Sequence, residues 1–176
     1  MPVNHLANKR IIEMRKRVLF FIFLAIVLLS VPAWAETVFV YIEKGNIVLS
    51  SGINDDAALW ITRIEDGIMD ILFDSGHIVF SNDSGRNQIR DFETLNQLAK
   101  SGGAAVLVSA VLNLQIVDNT VIISGDYKVY DLFTDDIIAS NKYVFNDPLQ
   151  KISYTLIEEK LFSAGKSVGK KIQPVL

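Results

Sequence analysis

Few residues in this chain have side chains suited to catalysis or to metal binding. The 176 residues include no cysteine and two histidines, His5 and His77. The lack of cysteine excludes disulfides, thiolate zinc sites, iron–sulfur clusters, cysteine nucleophiles and lipid-modified cysteine anchors. His5 lies in a segment that we expect to be removed, and no second histidine or nucleophile accompanies His77, so we interpret His77 as a rim residue of a sheet. We therefore predict no catalytic residue, no metal site and no cofactor.

The strongest candidate for catalysis is a group of acidic residues along one predicted helix. Asp66 and Asp70 are four residues apart and share a helix face. Paired carboxylates could catalyse glycoside hydrolysis or bind a divalent cation. The other interpretation is a solvated outer face, because these acids, with Glu65 and Asp74, fall where the apolar stripe of the helix does not. We favour the solvated face and keep a carboxylate-dependent hydrolase as an alternative function.

A polar loop with two arginines is the candidate site for binding a partner. Residues 82–90 read Asn-Asp-Ser-Gly-Arg-Asn-Gln-Ile-Arg and follow a predicted strand. Loops on a rigid scaffold often hold binding residues, and arginine offers forked donors to carboxylates or phosphates. We therefore predict partner binding at Arg86, Asn87 and Arg90, with an ordinary solvated loop as the alternative.

Residues 1–35 have the pattern of a secretory signal peptide. Basic residues come first, and an uninterrupted apolar run follows at 18–29. That run is short for a membrane span, which needs about 20 residues. Pro32 then breaks the helix just before Ala33-Trp34-Ala35, which fits an A-x-A cleavage site. We predict cleavage between Ala35 and Glu36, with an uncleaved inner-membrane anchor as the alternative.

The remaining residues 36–176 are expected to form one acidic, exported domain located in the periplasm. Without the five basic residues and one acidic residue of the leader, the chain keeps 12 basic and 19 acidic residues, a net charge of −7. Such a domain lacks the basic stripe that nucleic acid requires and is poorly suited to anionic lipid. We expect no nucleic-acid binding and no stable membrane insertion after cleavage. Either Met1 or Met14 could be the start, because three basic residues follow Met14.

Hydrophobic periodicity predicts a single α+β domain with the element order β-α-β-α-β-β-β-α, in which helices pack on a mixed sheet. The first helix is expected to open at Asn54-Asp55-Asp56 and to end at Ser75-Gly76. The second is expected over about Phe92–Ser101, and the third from a cap at Asp147-Pro148 with Gln150 as the capping-box partner. The apolar stripe predicted to bury the last helix is Leu149, Ile152, Leu156, Leu161, Ala164, Val168 and Ile172. Gly67 predicts a close approach of the first helix to the sheet or to the last helix.

The strands are predicted at 37–42, 77–81, 104–117, 121–132 and 137–145. Asp118-Asn119 and Thr134-Asp135-Asp136 have the composition of hairpin turns. Residues alternate along the fourth strand, with Val121, Ile123 and Val129 pointing one way and Ser124, Asp126 and Lys128 the other, so one face of it is expected to be solvated.

Two segments resemble a known group of bacterial envelope domains. The helix end Leu98-Ala99-Lys100-Ser101-Gly102-Gly103-Ala104-Ala105, which runs into a strand, resembles the equivalent segment of TolB amino-terminal-type domains. Residues 129–138, Val-Tyr-Asp-Leu-Phe-Thr-Asp-Asp-Ile-Ile, look like the hairpin of that group. The group includes the curli secretion channel lipoprotein, FlgO-like flagellar proteins and lipoprotein activators of penicillin-binding proteins. The resemblance covers about residues 37–172 and implies an envelope scaffold or protein-binding module without catalysis.

These observations favour a non-enzymatic accessory or protein-binding module of the cell envelope, whose partner is an envelope protein. An integral subunit of an oligomeric envelope assembly, including a homo-oligomer, is a further alternative. An exposed sheet edge or an apolar surface patch would favour that alternative, since monomers seldom expose such patches.

Overall fold

The computed structural model describes residues 35–49, 56–82, 84, 88–89, 91–117, 119–148 and 153–176. Five strands form one sheet: β1 Thr37–Leu49, β2 Ile78–Ser81, β3 Val106–Val117, β4 Thr120–Asp131 and β5 Asp136–Pro148. Three α-helices accompany it: α1 Ala57–Asp74, α2 Phe92–Ser101 and α3 Tyr154–Ile172, with a 3₁₀ turn at Gln173–Val175. This order confirms the predicted α+β class. No helix in these ranges is long and apolar enough to cross a membrane.

The sheet is mixed, with the spatial order β2-β1-β3-β4-β5. β1 runs parallel to both β2 and β3, whereas β3, β4 and β5 are joined as antiparallel neighbours. The two hairpin turns contain Asn119 at φ 59° and Asp135 at φ 61°. Asparagine and aspartate tolerate this left-handed conformation better than most residues, so the predicted turn positions are explained by local chemistry.

The main core lies between the sheet and the pair α1–α3. Glycines at the crossing let the two helices approach closely: a Cβ on Gly67 would overlap the carbonyl oxygen of Phe162, and one on Gly165 would overlap that of Ile64. This confirms the second of the two predicted positions for Gly67, against the last helix. A smaller apolar cluster fills the opposite face, where α2 covers β1 and β3; its buried members are Phe39, Tyr41, Leu95, Ala99, Ala104, Leu107 and Leu132.

The predicted start of the last helix is wrong. Asp147 and Pro148 belong to β5, where they lie opposite Val121 and Thr120 of β4. Pro148 is tolerated there because an edge strand can lose a donor without breaking the ladder. The helix begins instead at Tyr154, with Ser153 as its cap; Leu149, Gln150 and Ile152 lie outside the described residues.

The buried stripe of α3 is also shifted from the predicted one at its start. Leu156 is half-buried, whereas Ile157 is fully buried in the core. From Leu161 onward the predicted positions are confirmed: Leu161, Ala164, Val168 and Ile172 are buried. Ile157 is four residues before Leu161 and so lies on the same helix face, whereas Leu156 is five residues before it and turns partly away from the core.

Candidate functional site

A buried polar cluster lies where the loop after β2 crosses β1. Glu65 of α1 is 2% exposed and Ser84 of the loop is fully buried. The Ser84 hydroxyl donates to Glu65 Oε1 at 2.5 Å and accepts from the backbone N–H of Ile42 at 3.1 Å. One serine therefore connects a helix, a loop and a strand.

Burial raises the pKa of the Glu65 carboxyl to about 7 from its usual 4.5. Desolvation is the main cause, since a charge is disfavoured away from water. Hydrogen bonds from the side chains of Ser84 and Ser81 act in the opposite direction, and the nearby charge of Asp66 adds to the rise. Glu65 thus changes its charge near neutral pH inside the protein.

Two further loop residues complete the hydrogen bonding of β1. The Gln88 side chain accepts from Lys44 N at 2.8 Å and donates to the Ile42 carbonyl at 3.3 Å and to the Ser84 carbonyl. The Tyr41 hydroxyl donates to the Ile89 carbonyl at 2.8 Å and accepts from the Ile89 N–H at 2.5 Å. Because β2 pairs with β1 only as far as Val40, these contacts replace a neighbouring strand. We call Ser84, Gln88 and Ile89 the β1 edge cap.

The sequence interpretation of Glu65 as part of a solvated face is wrong. Glu65 is four residues after Ile61 and three before Ile68, which places it within the buried stripe of α1. This spacing was the feature of the sequence from which the burial of Glu65 could have been predicted. The sequence could not show that Ser84, 19 positions away, would supply the hydrogen bond that makes burial tolerable.

Glu65 and Ser84 have the residue types of a general base and a nucleophile, but a substrate cannot reach them. Catalysis of that kind needs a substrate within reach of the hydroxyl, and both side chains are enclosed. His77, the histidine in the described part, is half-buried at the start of β2. Its Nδ1 is enclosed without a hydrogen-bond partner among the described residues. We assign the pair a structural role.

The paired carboxylates Asp66 and Asp70 lie along a shallow surface groove of about 410 Å³. Its apolar lining is Met69, Phe73, Val79 and Phe162. Each carboxylate is close to a cation: Asp66 is 3.5 Å from Arg63 and Asp70 is 2.7 Å from Lys166. These partly exposed ion pairs resemble ordinary helix-surface pairs. Within the described ranges, no group of three or more metal-ligating side chains comes together.

The other predicted site residues are placed as follows. Arg86, Asn87 and Arg90 lie outside the described residues, so their role in binding remains a prediction. Ala35 is exposed directly before β1, and the Glu36 carbonyl accepts from Ile78 N at 3.0 Å. Cleavage at this bond likewise remains a prediction.

The described surface exposes large apolar side chains near both edges of the sheet. Beside β2, Phe73 is 69% and Ile78 is 58% exposed. On β5, Val144 is 73% and Ile137 is 52% exposed. β5 is an edge strand of 13 residues, paired with β4 on one side. Such exposure is the feature expected of an oligomeric subunit or a protein-binding module.

The side chain of Tyr143 links β5 to the interior of the sheet by a hydrogen bond. Its hydroxyl reaches past β4 and donates to the Val111 carbonyl of β3 at 2.7 Å. Gly125, opposite Tyr143 on β4, leaves the space for this crossing, since a Cβ there would collide with that carbonyl. Burial raises the pKa of the Tyr143 hydroxyl above its usual range. The exposed edge is therefore held firmly by the fold.

Comparison with known proteins shows a shared fold at low sequence identity. No protein-family model matches the sequence, and no curated protein matches it significantly. A PelC dodecamer from Paraburkholderia phytofirmans is similar in structure, with a TM-score of 0.53 and 14% identity over 82% of this chain and 91% of PelC. A dodecamer of a PelC variant from the same organism has a TM-score of 0.51 and 13% identity, over 80% and 88% of the two chains.

TolB from Acinetobacter baumannii is also among the structural neighbours. Its TM-score is 0.44 with 14% identity, over 82% of this chain and 29% of TolB. At these identities the PelC comparison establishes a common fold and nothing about activity.

Proposed function

We propose that this chain is an exported, non-enzymatic module of the cell envelope that acts by binding protein, with further copies of itself among its partners. The shared fold with PelC, which was crystallised as a dodecamer, supports the second part of this proposal. The net acidic domain and the signal-like leader support the first.

The observation that carries the proposal is the distribution of side chains. Glu65, the described carboxylate whose pKa is raised, is enclosed and bonded to Ser84. In contrast, Val144 lies on the edge strand β5 and is the most exposed of the large apolar side chains on the described strands. A catalytic domain normally presents perturbed acids in a cleft open to substrate. A binding module presents apolar side chains at its surface.

The test is the oligomeric state of the purified protein. Sedimentation velocity over a wide concentration range should show species of at least twice the chain mass, with the larger species favoured at high concentration. A protein that stays monomeric at every concentration would contradict self-association and leave a different protein as the partner.

Export is tested separately by the mass of the protein recovered from the envelope. We expect an amino terminus at Glu36, and we expect Ala35→Phe to block processing because the cleavage site accommodates a small side chain. Recovery of the intact leader in the membrane fraction would instead make this a domain anchored by its uncleaved leader.

The arginine loop remains part of the proposal as a second contact surface. Arg86 and Arg90 flank loop residues that are bonded to β1, namely Gln88 and Ile89. Replacing both arginines with alanine should weaken binding to a recovered envelope partner while the far-ultraviolet circular dichroism stays unchanged. Unchanged affinity would remove the loop from the binding surface.

A further inference from the structure

We propose that residues 140–148 of β5 form an interface that pairs antiparallel with the same segment of a second copy of this chain. This inference rests on the proposed function and assigns its self-association to one surface. Within the described residues, β5 has a strand neighbour on its β4 side only.

The geometry of this half of β5 suits strand pairing. The register with β4 is continuous from Ala139 to Pro148, and the single irregularity lies at the other end, between Val129 and Tyr130 of β4. Bulges and inward charges are common devices that prevent edge pairing. The irregularity therefore protects the first residues of β5 and leaves the segment from 140 onward regular.

Val144 lies at the centre of the segment on the sheet face opposite α1 and α3. It pairs with Ser124 of β4, which pairs with Asn113 of β3. Both of these polar residues are half-buried, whereas Val144 is 73% exposed. A β-branched residue so exposed on an edge strand gains burial if another strand is added beside it.

The charges along the segment fit a second copy. With a two-fold axis at Val144, antiparallel pairing places Lys142 opposite Asn146 and Asn141 opposite Asp147, so that no like charges face each other. A two-fold axis at Lys142 would oppose two ammonium groups, which is destabilising. Charge therefore favours the axis at Val144 over one at Lys142.

The other edge of the sheet offers less for such pairing. β2 has four residues, and beyond it the β1 edge cap bonds to the backbone of β1 at Ile42 and Lys44. A second copy therefore finds a longer edge at β5 than at β2, although the Lys142 N–H is bonded to Asn141 and Pro148 has no N–H. An isologous contact between two β5 strands also matches the most frequent symmetry of homo-oligomers.

A single cysteine at the proposed two-fold axis tests the register. Because the natural chain has no cysteine, Val144→Cys introduces the sole thiol of the full chain. Mild oxidation of the purified full chain should give a disulfide-linked dimer, since directly opposed residues of antiparallel strands lie within disulfide reach. The matched control is Phe133→Cys in the β4–β5 turn, where the native side chain is 85% exposed; it measures collisional cross-linking.

A charge at the same position tests whether the contact drives association. Val144→Asp should raise the dimer dissociation constant by about tenfold or more, because two like charges would be opposed at the axis. Ile78→Asp, on the exposed β2 edge, should leave association unchanged.

The outcomes separate this assignment from the proposed function. Faster cross-linking at position 144 than at 133, together with dissociation by Val144→Asp, supports the β5 interface. If the natural chain associates but neither effect appears, the interface lies elsewhere and the assignment is overturned while self-association stands. If the natural chain is monomeric at every concentration, both fail.

Discussion

The two edges of the sheet differ in how their backbone groups are satisfied. Beyond the four residues of β2, side chains of Ser84 and Gln88 bond to backbone groups of Ile42 and Lys44. Along the outer edge of β5, the described contact of this kind is local, from the Lys142 N–H to the side chain of the preceding residue. An unpaired edge is a ready template for another chain. In the described residues, side chains of the fold therefore bond to the β1 edge beyond β2, whereas β5 has a strand neighbour on its β4 side only.

The contacts at the β1 edge involve a titratable group in the interior, the carboxyl of Glu65. Ser84 bonds to both Ile42 and Glu65, so the cap is coupled to a buried carboxyl whose pKa is about 7. The exposed half of β5 is independent of that carboxyl. Variants of the two edges should therefore differ in their effects on folding and on association.

The largest effect is expected from the pH dependence that Glu65 gives to stability. Because burial raises its folded-state pKa from 4.5 to about 7, the folded protein holds the proton more tightly than the unfolded chain. This contribution is fully present below pH 4.5 and is lost as the pH rises through about 7, a change on the order of 3 kcal/mol. Urea unfolding of the natural protein and of Glu65→Gln across this range should give a difference that varies with pH in this direction. A constant difference would contradict the buried, titrating carboxyl.

Removal of the Ser84 hydroxyl should be the next largest effect. Ser84→Ala leaves the Ile42 N–H and the Glu65 carboxyl without their shared partner. Leaving a buried polar group unsatisfied costs about 2 kcal/mol. Urea unfolding at fixed pH measures the loss.

Ser101→Ala is the control for this variant. The exposed Ser101 hydroxyl bonds only within α2, at the Leu98 carbonyl. Its removal should change the free energy of unfolding by less than about 0.5 kcal/mol. Equal effects at Ser84 and Ser101 would show that the β1 edge cap is not needed for stability.

Gln88 should matter less, because its side chain is exposed. Gln88→Ala is expected to cost about 1 kcal/mol, the net value of a typical hydrogen bond. Gln97→Ala serves as the matched control, since that side chain is also exposed and bonds to Glu93. Unfolding curves that are identical for both variants would mean that the β1 edge is satisfied by water instead.

The smallest effect on folding is expected at the open edge. The Val144 side chain is 73% exposed. Val144→Asp should therefore change the free energy of unfolding of the monomer by no more than about 0.5 kcal/mol. Urea unfolding in dilute solution measures this change, and the effect of the variant should be on association alone. A large loss of stability under those conditions would mean that Val144 packs within its own chain.

The predicted bounds of helices and strands agree with the structure where capping residues and turn residues determine them. The predicted helix at Phe92–Ser101 coincides with α2, because Asp91 caps its start and Gly102-Gly103 end it. The boundary between β5 and α3 differs from the prediction because pairing with β4, a tertiary contact, extends the strand through Asp147. That contact overrides a favourable capping sequence.

The candidate site was less accessible to sequence reasoning than the fold. The spacing of Glu65 matched the buried stripe, but a carboxylate in that stripe is only tolerated with a partner, and Ser84 is distant in the chain. Exposure of Val144 was equally hidden, since alternation predicts two faces of a strand without showing which strand lies at the edge. Sheet order is a property of the whole chain.

Amide hydrogen exchange at low and high protein concentration tests the central claim most directly, because it observes both edges in one experiment. We expect the amides of Ile42 and Lys44 to be protected at both concentrations. The amides within 140–148 that point away from β4 should gain protection only at the concentration where the protein associates, because the alternate amides already bond to β4. Unchanged exchange of these outward amides upon association, or rapid exchange of Ile42 in the folded protein, would contradict the contrast between the two edges.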